Sequence, residues 1–185
     1  MTARDPAEEL VAAFARWAAG ERSAAAARGR TQERWLRQVA TEAATFGGLL
    51  VDLAEGRAAV VLTVAGERHA GSVVGVAADF CVLTDQAGAL QLVALRAVSS
   101  LRTGITRTGS EPAGDRPAAI SLHLADALAA LAADRAPVRL VLSDGGRALG
   151  DLVATSTDVV TLRVGSPSRQ VVHVPLAAIA SCQLR

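Results

Sequence analysis

Two stretches of this chain alternate apolar and polar residues with the period of a β-strand, and an apolar stretch with helical spacing precedes each. In the first, Val60, Leu62 and Val64 alternate, and Ala65-Gly66-Glu67 predicts a tight turn. A second strand runs through Gly71, Val73, Val74 and Val76, where an interior glycine marks a bend. Phe80, Val82 and Leu83 form a third, Asp85 to Gly88 a turn, and Leu90–Leu95 and Ala97–Leu101 complete five. The second stretch predicts strands at Val138–Leu142, Ala148–Ala154, Val159–Val164, Gln170–Val174 and Ala177–Leu184, with a hairpin turn at Asp144-Gly145-Gly146.

Helices are expected ahead of both strand sets. Asp5-Pro6, followed by Glu8 and Glu9, has the residues of a helix start, and Gly20 ends that helix. Thr31 caps a longer helix running to about Glu55. In it Leu36, Val39, Ala43, Phe46, Leu50 and Leu53 follow alternate spacings of three and four, an a/d seam. Gly47-Gly48 interrupts it at about 1 kcal/mol per glycine relative to Ala. The seam packs either on the chain's own strands or on a second copy. A further helix is expected at Ala118–Ala133, with Leu124, Leu128 and Leu131 on one face.

The two halves repeat. VALRAVS at Val93–Ser99 matches VPLAAIA at Val174–Ala180, Gly71 matches Gly150, Asp79 matches Asp158, and Arg57-Ala58 matches Arg135-Ala136. Residues 1–30 then form an N-terminal helix and basic linker, 31–103 a helix with five strands, 104–117 a linker rich in Gly, Pro, Thr and Ser, and 118–185 a second helix with five strands.

The segment GERHAGSVVGVAADFCVLTDQAGALQLVALRAVSSL, Gly66–Leu101, resembles the Sm-like pattern of a turn, a glycine-bearing strand, a third strand with Asp and Phe, and a closing apolar-Ala-apolar-Ser strand. The layout also resembles actinobacterial proteins sometimes labelled Fis-type regulators, although no helix-turn-helix is evident. The Sm-like resemblance implies an α+β fold: N-terminal helices followed by two tandem helix-plus-five-stranded Sm-like small β-barrels. It also implies RNA as a partner, with Phe80 and Arg96 where the family stacks and contacts bases. The chain departs from the family here: Leu95-Arg96 stands where the bacterial RNA chaperone of the family has Lys-His, and there is no Asn in the third strand.

Composition narrows the chemistry. The 185 residues are 51% hydrophobic, enough for folded cores. The chain contains neither Lys nor Asn, so a Walker-type phosphate loop and a Schiff-base mechanism are excluded. His69, His123 and His173 are isolated from metal-ligand partners, and Glu67 and His69, flanking a turn, are expected to be exposed. Cys81 and Cys182, one per repeat, read as buried reduced thiols. No cofactor, metal or catalytic constellation is indicated. Acidic residues precede the first short apolar stretch, the wrong order for a secretory signal, and no run reaches a membrane-span length, so a cytoplasmic protein is expected.

Arg22, Arg28, Arg30, Arg34 and Arg37 make one locally basic stretch suited to phosphate contacts, although the whole chain carries a net charge of only +1. Two readings of function stand side by side. One is a non-catalytic RNA-binding or post-transcriptional regulatory module that uses these arginines with Phe80 and Arg96. The other is a protein-interaction or assembly module without nucleic acid, acting through the helix seam or an edge strand. Leu90–Leu95 has neither charge nor Pro, so this edge is expected to pair with the second unit or with another chain, in a monomer or homodimer.

Overall fold

Thr45 divides the first helical region. Its backbone is extended (φ −101°, ψ 157°), and its hydroxyl accepts the Gly48 N–H at 3.0 Å, capping a new helix. The expected continuous helix is therefore two: α1 over 32–42 and α2 at Phe46–Glu55. The break falls before Gly47-Gly48, where glycine weakens the helix and the Thr45 hydroxyl satisfies one of the N–H groups that a helix start leaves free. The computed structural model describes residues 20, 26, 29–30, 32–104, 116–118, 120–165 and 170–185. The helix expected from Asp5, the residues Arg22 and Arg28, and linker residues 105–115 lie outside the described residues.

After α2 come β1 (Ala59–Val64), β2 (Glu67–Val76), β3 (Phe80–Thr84), β4 (Leu90–Ala94), a 3₁₀ turn (Leu95–Ala97) and β5 (Val98–Thr103). Then follow α3 (Leu124–Ala133), β6 (Pro137–Leu142), β7 (Arg147–Thr155), β8 (Val159–Val164), β9 (Gln170–Pro175), a 3₁₀ turn (Leu176–Ala178) and β10 (Ile179–Leu184). The repeat extends to detail. Register shifts fall between Val73 and Gly75 and between Leu152 and Ala154. Arg57 and Arg135 both hold positive φ, 46° and 49°, just past their helices. Asp79 O accepts from Leu95 N as Asp158 O accepts from Leu176 N, at 2.9 and 2.7 Å.

The expected pair of Sm-like small β-barrels is not what forms. All ten strands belong to one antiparallel sheet in the order β5-β1-β2-β3-β4-β10-β6-β7-β8-β9. Neither five-stranded set closes on itself, because β4 pairs with β10 of the other half, with Ser181 opposite Val93, Cys182 opposite Leu92 and Gln183 opposite Gln91. The uncharged, Pro-free run at Leu90–Leu95 offers an open ladder, and β10 meets it. The cores interlock across this seam. Phe80, Leu92 and Ala94 of the first half pack with Leu128, Leu140 and Leu162, while Ala180 of the second packs with Leu50, Leu62 and Leu83.

Cys81 and Cys182 are free and buried, and desolvation pushes both thiols up to about 12. No helix among the described residues is long and apolar enough to cross a membrane.

Candidate functional site

The described residues singled out in the sequence do not come together. Phe80 is 3% exposed and belongs to the core, so it presents no ring face for a base to stack on. Arg96 has no counterpart in the second half, where Ala177 stands. Its guanidinium donates to the carbonyls of Leu176 at 2.7 Å, Ile179 at 3.0 Å and Ala177 at 3.1 Å. Those carbonyls line the 3₁₀ turn that leads into β10, so Arg96 clamps the two halves. Asp79 serves the same seam: its carboxylate accepts the Leu124 N–H at 2.8 Å, at the start of α3. Among the described residues of the basic stretch, Arg30, Arg34 and Arg37 are exposed.

Arg34 and Arg37 occupy one side of α1. At 100° per residue, Trp35, Leu36 and Val39 fall on the other. Trp35 is 61% exposed, Leu36 51% and Val39 42%. Phe46 and Leu49 continue the exposed apolar residues onto α2. The inner face of α2 behaves differently: Leu50, Val51 and Leu53 are buried in the first core. The predicted seam is thus divided between two tasks. Its C-terminal part packs on the chain's own sheet, and its N-terminal part faces solvent. Arg116 ties the chain back to α2 through Asp52 at 2.8 Å and Glu55 at 2.7 Å, which holds the Glu55 carboxyl below its usual range.

A second group of arginines was invisible to sequence spacing, since it comes from two strands and the residue after a third. Arg139 of β6, Arg147 of β7 and Arg185 after β10 line an open concavity of about 940 Å3 with Gln183, Leu149 and Pro137. Gln91, Gln183, Arg139 and Leu149 stand opposite one another in turn across β4, β10, β6 and β7. Glu67 reaches over from β2 of the first half. It accepts from Arg147 and lies 3.5 Å from Arg139. The hydrogen bond from Arg147 is the main cause holding the Glu67 carboxyl below the ordinary glutamate range, against a smaller desolvation effect.

The expectation that Glu67 and His69 are simply exposed is therefore corrected: both are partly buried at the seam. His69 Nδ1 meets the Gln91 side-chain amide at 3.1 Å, and the same amide donates to Ser181 Oγ at 3.0 Å. Desolvation, acting more strongly than the neighbouring Glu67 carboxylate, pulls the His69 pKa below the ordinary histidine value. Among the described residues, no three or more His, Cys, Asp and Glu side chains converge as a metal site. No protein-family model matches the chain, and no curated protein matches its sequence.

Proposed function

We propose that this protein is a non-catalytic assembly module that pairs with a second copy of itself through α1. The observation that carries this reading is the row Trp35, Leu36 and Val39, all exposed on one face of a helix that contributes nothing to either core. An amphipathic helix in a protein draws most of its stability from packing an apolar face. The row is also graded in size. Large residues lie at its N-terminal end, and Ala40 and Ala43 lie at the other. An antiparallel copy sets Leu36 over Ala43 and Val39 over Ala40, large against small, about a twofold axis. Its arginines stay in water on the far side.

Light scattering of the purified chain over a concentration series tests this. The expected mass is twice 18.9 kDa, falling toward 18.9 kDa on dilution. Leu36→Glu with Val39→Glu should weaken dimerisation at least tenfold, about 1.4 kcal/mol, without moving the unfolding midpoint of the sheet. A monomer at every concentration would overturn the proposal.

A second reading, RNA binding, is favoured by one observation: Arg30, Arg34 and Arg37 are exposed together. If RNA is the ligand, Arg28, Arg30, Arg34 and Arg37 replaced by Gln should weaken binding. The salt slope should flatten by about 0.7 per lost single-strand phosphate contact. A 260/280 nm absorbance ratio typical of clean protein, together with no binding to an RNA oligonucleotide, would remove this reading.

A further inference from the structure

The internal repeat supplies a comparison for the arginine-lined concavity. An equivalent hollow of about 400 Å3 lies in the first half, lined by Ala59, Val61, Ala70, Arg102 and Gly104 among others. The strand registers align the two: Val60 faces Gly71 as Val138 faces Gly150, which pairs Ala59 with Pro137, Val61 with Arg139 and Ala70 with Leu149. The closing strands pair Arg102 with Gln183 and Gly104 with Arg185. One backbone shape thus carries two linings. The fold is made equally well with Val61 and Gly104, so it does not require Arg139 and Arg185. Their presence adds two guanidinium groups to one hollow of the pair.

The charge is in excess. Arg139, Arg147 and Arg185 bring three guanidinium groups, and Glu67 supplies one carboxylate from outside the lining residues. Asp151, two residues past Leu149 on β7, stands opposite Pro137 in the ladder and adds a second carboxylate beside the lining residues. Guanidinium forks match the oxygens of phosphate, several at once, better than isolated carboxylates, and three guanidinium groups against Glu67 and Asp151 leave a net positive charge. The remaining wall is apolar, and Leu149 is exposed in it. We infer that this concavity binds a small molecule carrying a di- or triphosphate, with its body against Leu149 and Pro137. Glu67 occupies part of the anion position until such a ligand displaces it. This site is separate from the α1 row, and its test reads ligand binding rather than mass.

Isothermal titration of the full chain with inorganic pyrophosphate and with ADP is the direct measurement. Both probes are expected to bind at one per chain. Arg139→Val with Arg185→Gly, which installs the first half's own residues, should weaken both at least tenfold. Arg68→Gln, at the first-half counterpart of Arg147, should change neither. If the double variant does not fold, Arg147→Gln, on a half-exposed side chain, reads the same loss. No binding of either probe to the unaltered chain overturns the inference. So does undiminished binding in a folded Arg139→Val/Arg185→Gly chain or, where that chain does not fold, in Arg147→Gln.

Discussion

Leu162→Ala and Leu83→Ala should each lower the unfolding free energy by about 2–5 kcal/mol, the range for a leucine truncated in a core that collapses only in part. The two leucines hold equivalent third-strand positions: Leu83 faces Val73 in the register and Leu162 faces Leu152, each beside the bulge of the neighbouring strand. Leu83 is 2% exposed and Leu162 is fully buried. They lie in different clusters, Leu83 with Leu50 and Leu62, Leu162 with Leu128 and Leu140. Separate sites without shared partners add to within about 0.3–0.5 kcal/mol. The double variant should therefore lose close to the sum, a large part of the about 5–15 kcal/mol that holds a domain together. Denaturant midpoints check both points. An unmoved midpoint in either single variant would place that leucine on the wrong face of its strand. A double variant far from additive would mean that the β4–β10 seam couples the two clusters.

Gly71→Ala and Gly150→Ala should be nearly as damaging, for a different reason. A Cβ at Gly71 would stand 2.3 Å from the Thr84 carbonyl oxygen, and one at Gly150 would stand 2.3 Å from the Arg163 carbonyl oxygen. Both obstacles are backbone, so β2 or β3, and likewise β7 or β8, must move apart. Overpacking of this kind costs about 1–3 kcal/mol, and more where nothing flexible can yield. Gly47→Ala is the matching control: nothing lies within 4 Å of its added Cβ, and its site is helical. There alanine should stabilise the chain by about 0.5–1 kcal/mol. Thermal melts showing equal effects at Gly47 and Gly71 would contradict the close approach.

These glycines illustrate what was legible locally. Apolar runs bounded by turn residues marked every described strand to within a few residues, and Gly66 and Gly145 at positive φ occupy the turns that composition marks. Turn chemistry and periodicity act over a few residues, so they survive in a sequence read without its fold. The ordered matches of Gly71 with Gly150 and Asp79 with Asp158 carried the repeat for the same reason. The Gly47-Gly48 pair marks a weak point in the helical run, and the Thr45 hydroxyl two residues before it sets where the new helix starts.

The tertiary structure alone decided the rest. Alternation says that Leu90–Leu95 is a strand with an unprotected edge, but not that β10 fills it in place of a strand closing its own half. That choice joins two would-be barrels into one sheet, and it turns on burial shared across the seam by Phe80, Leu92 and Ala180. Arg96 reads as a surface cation until the carbonyls of Leu176, Ala177 and Ile179 stand around it. Arg139, Arg147 and Arg185 are spread over 47 positions and show no local cluster. Strand pairing brings them to one concavity. Local order along this chain was set by backbone preferences that each residue carries by itself, whereas the seam and the arginine group arise from contacts between residues far apart in sequence, chosen by the burial of the whole molecule.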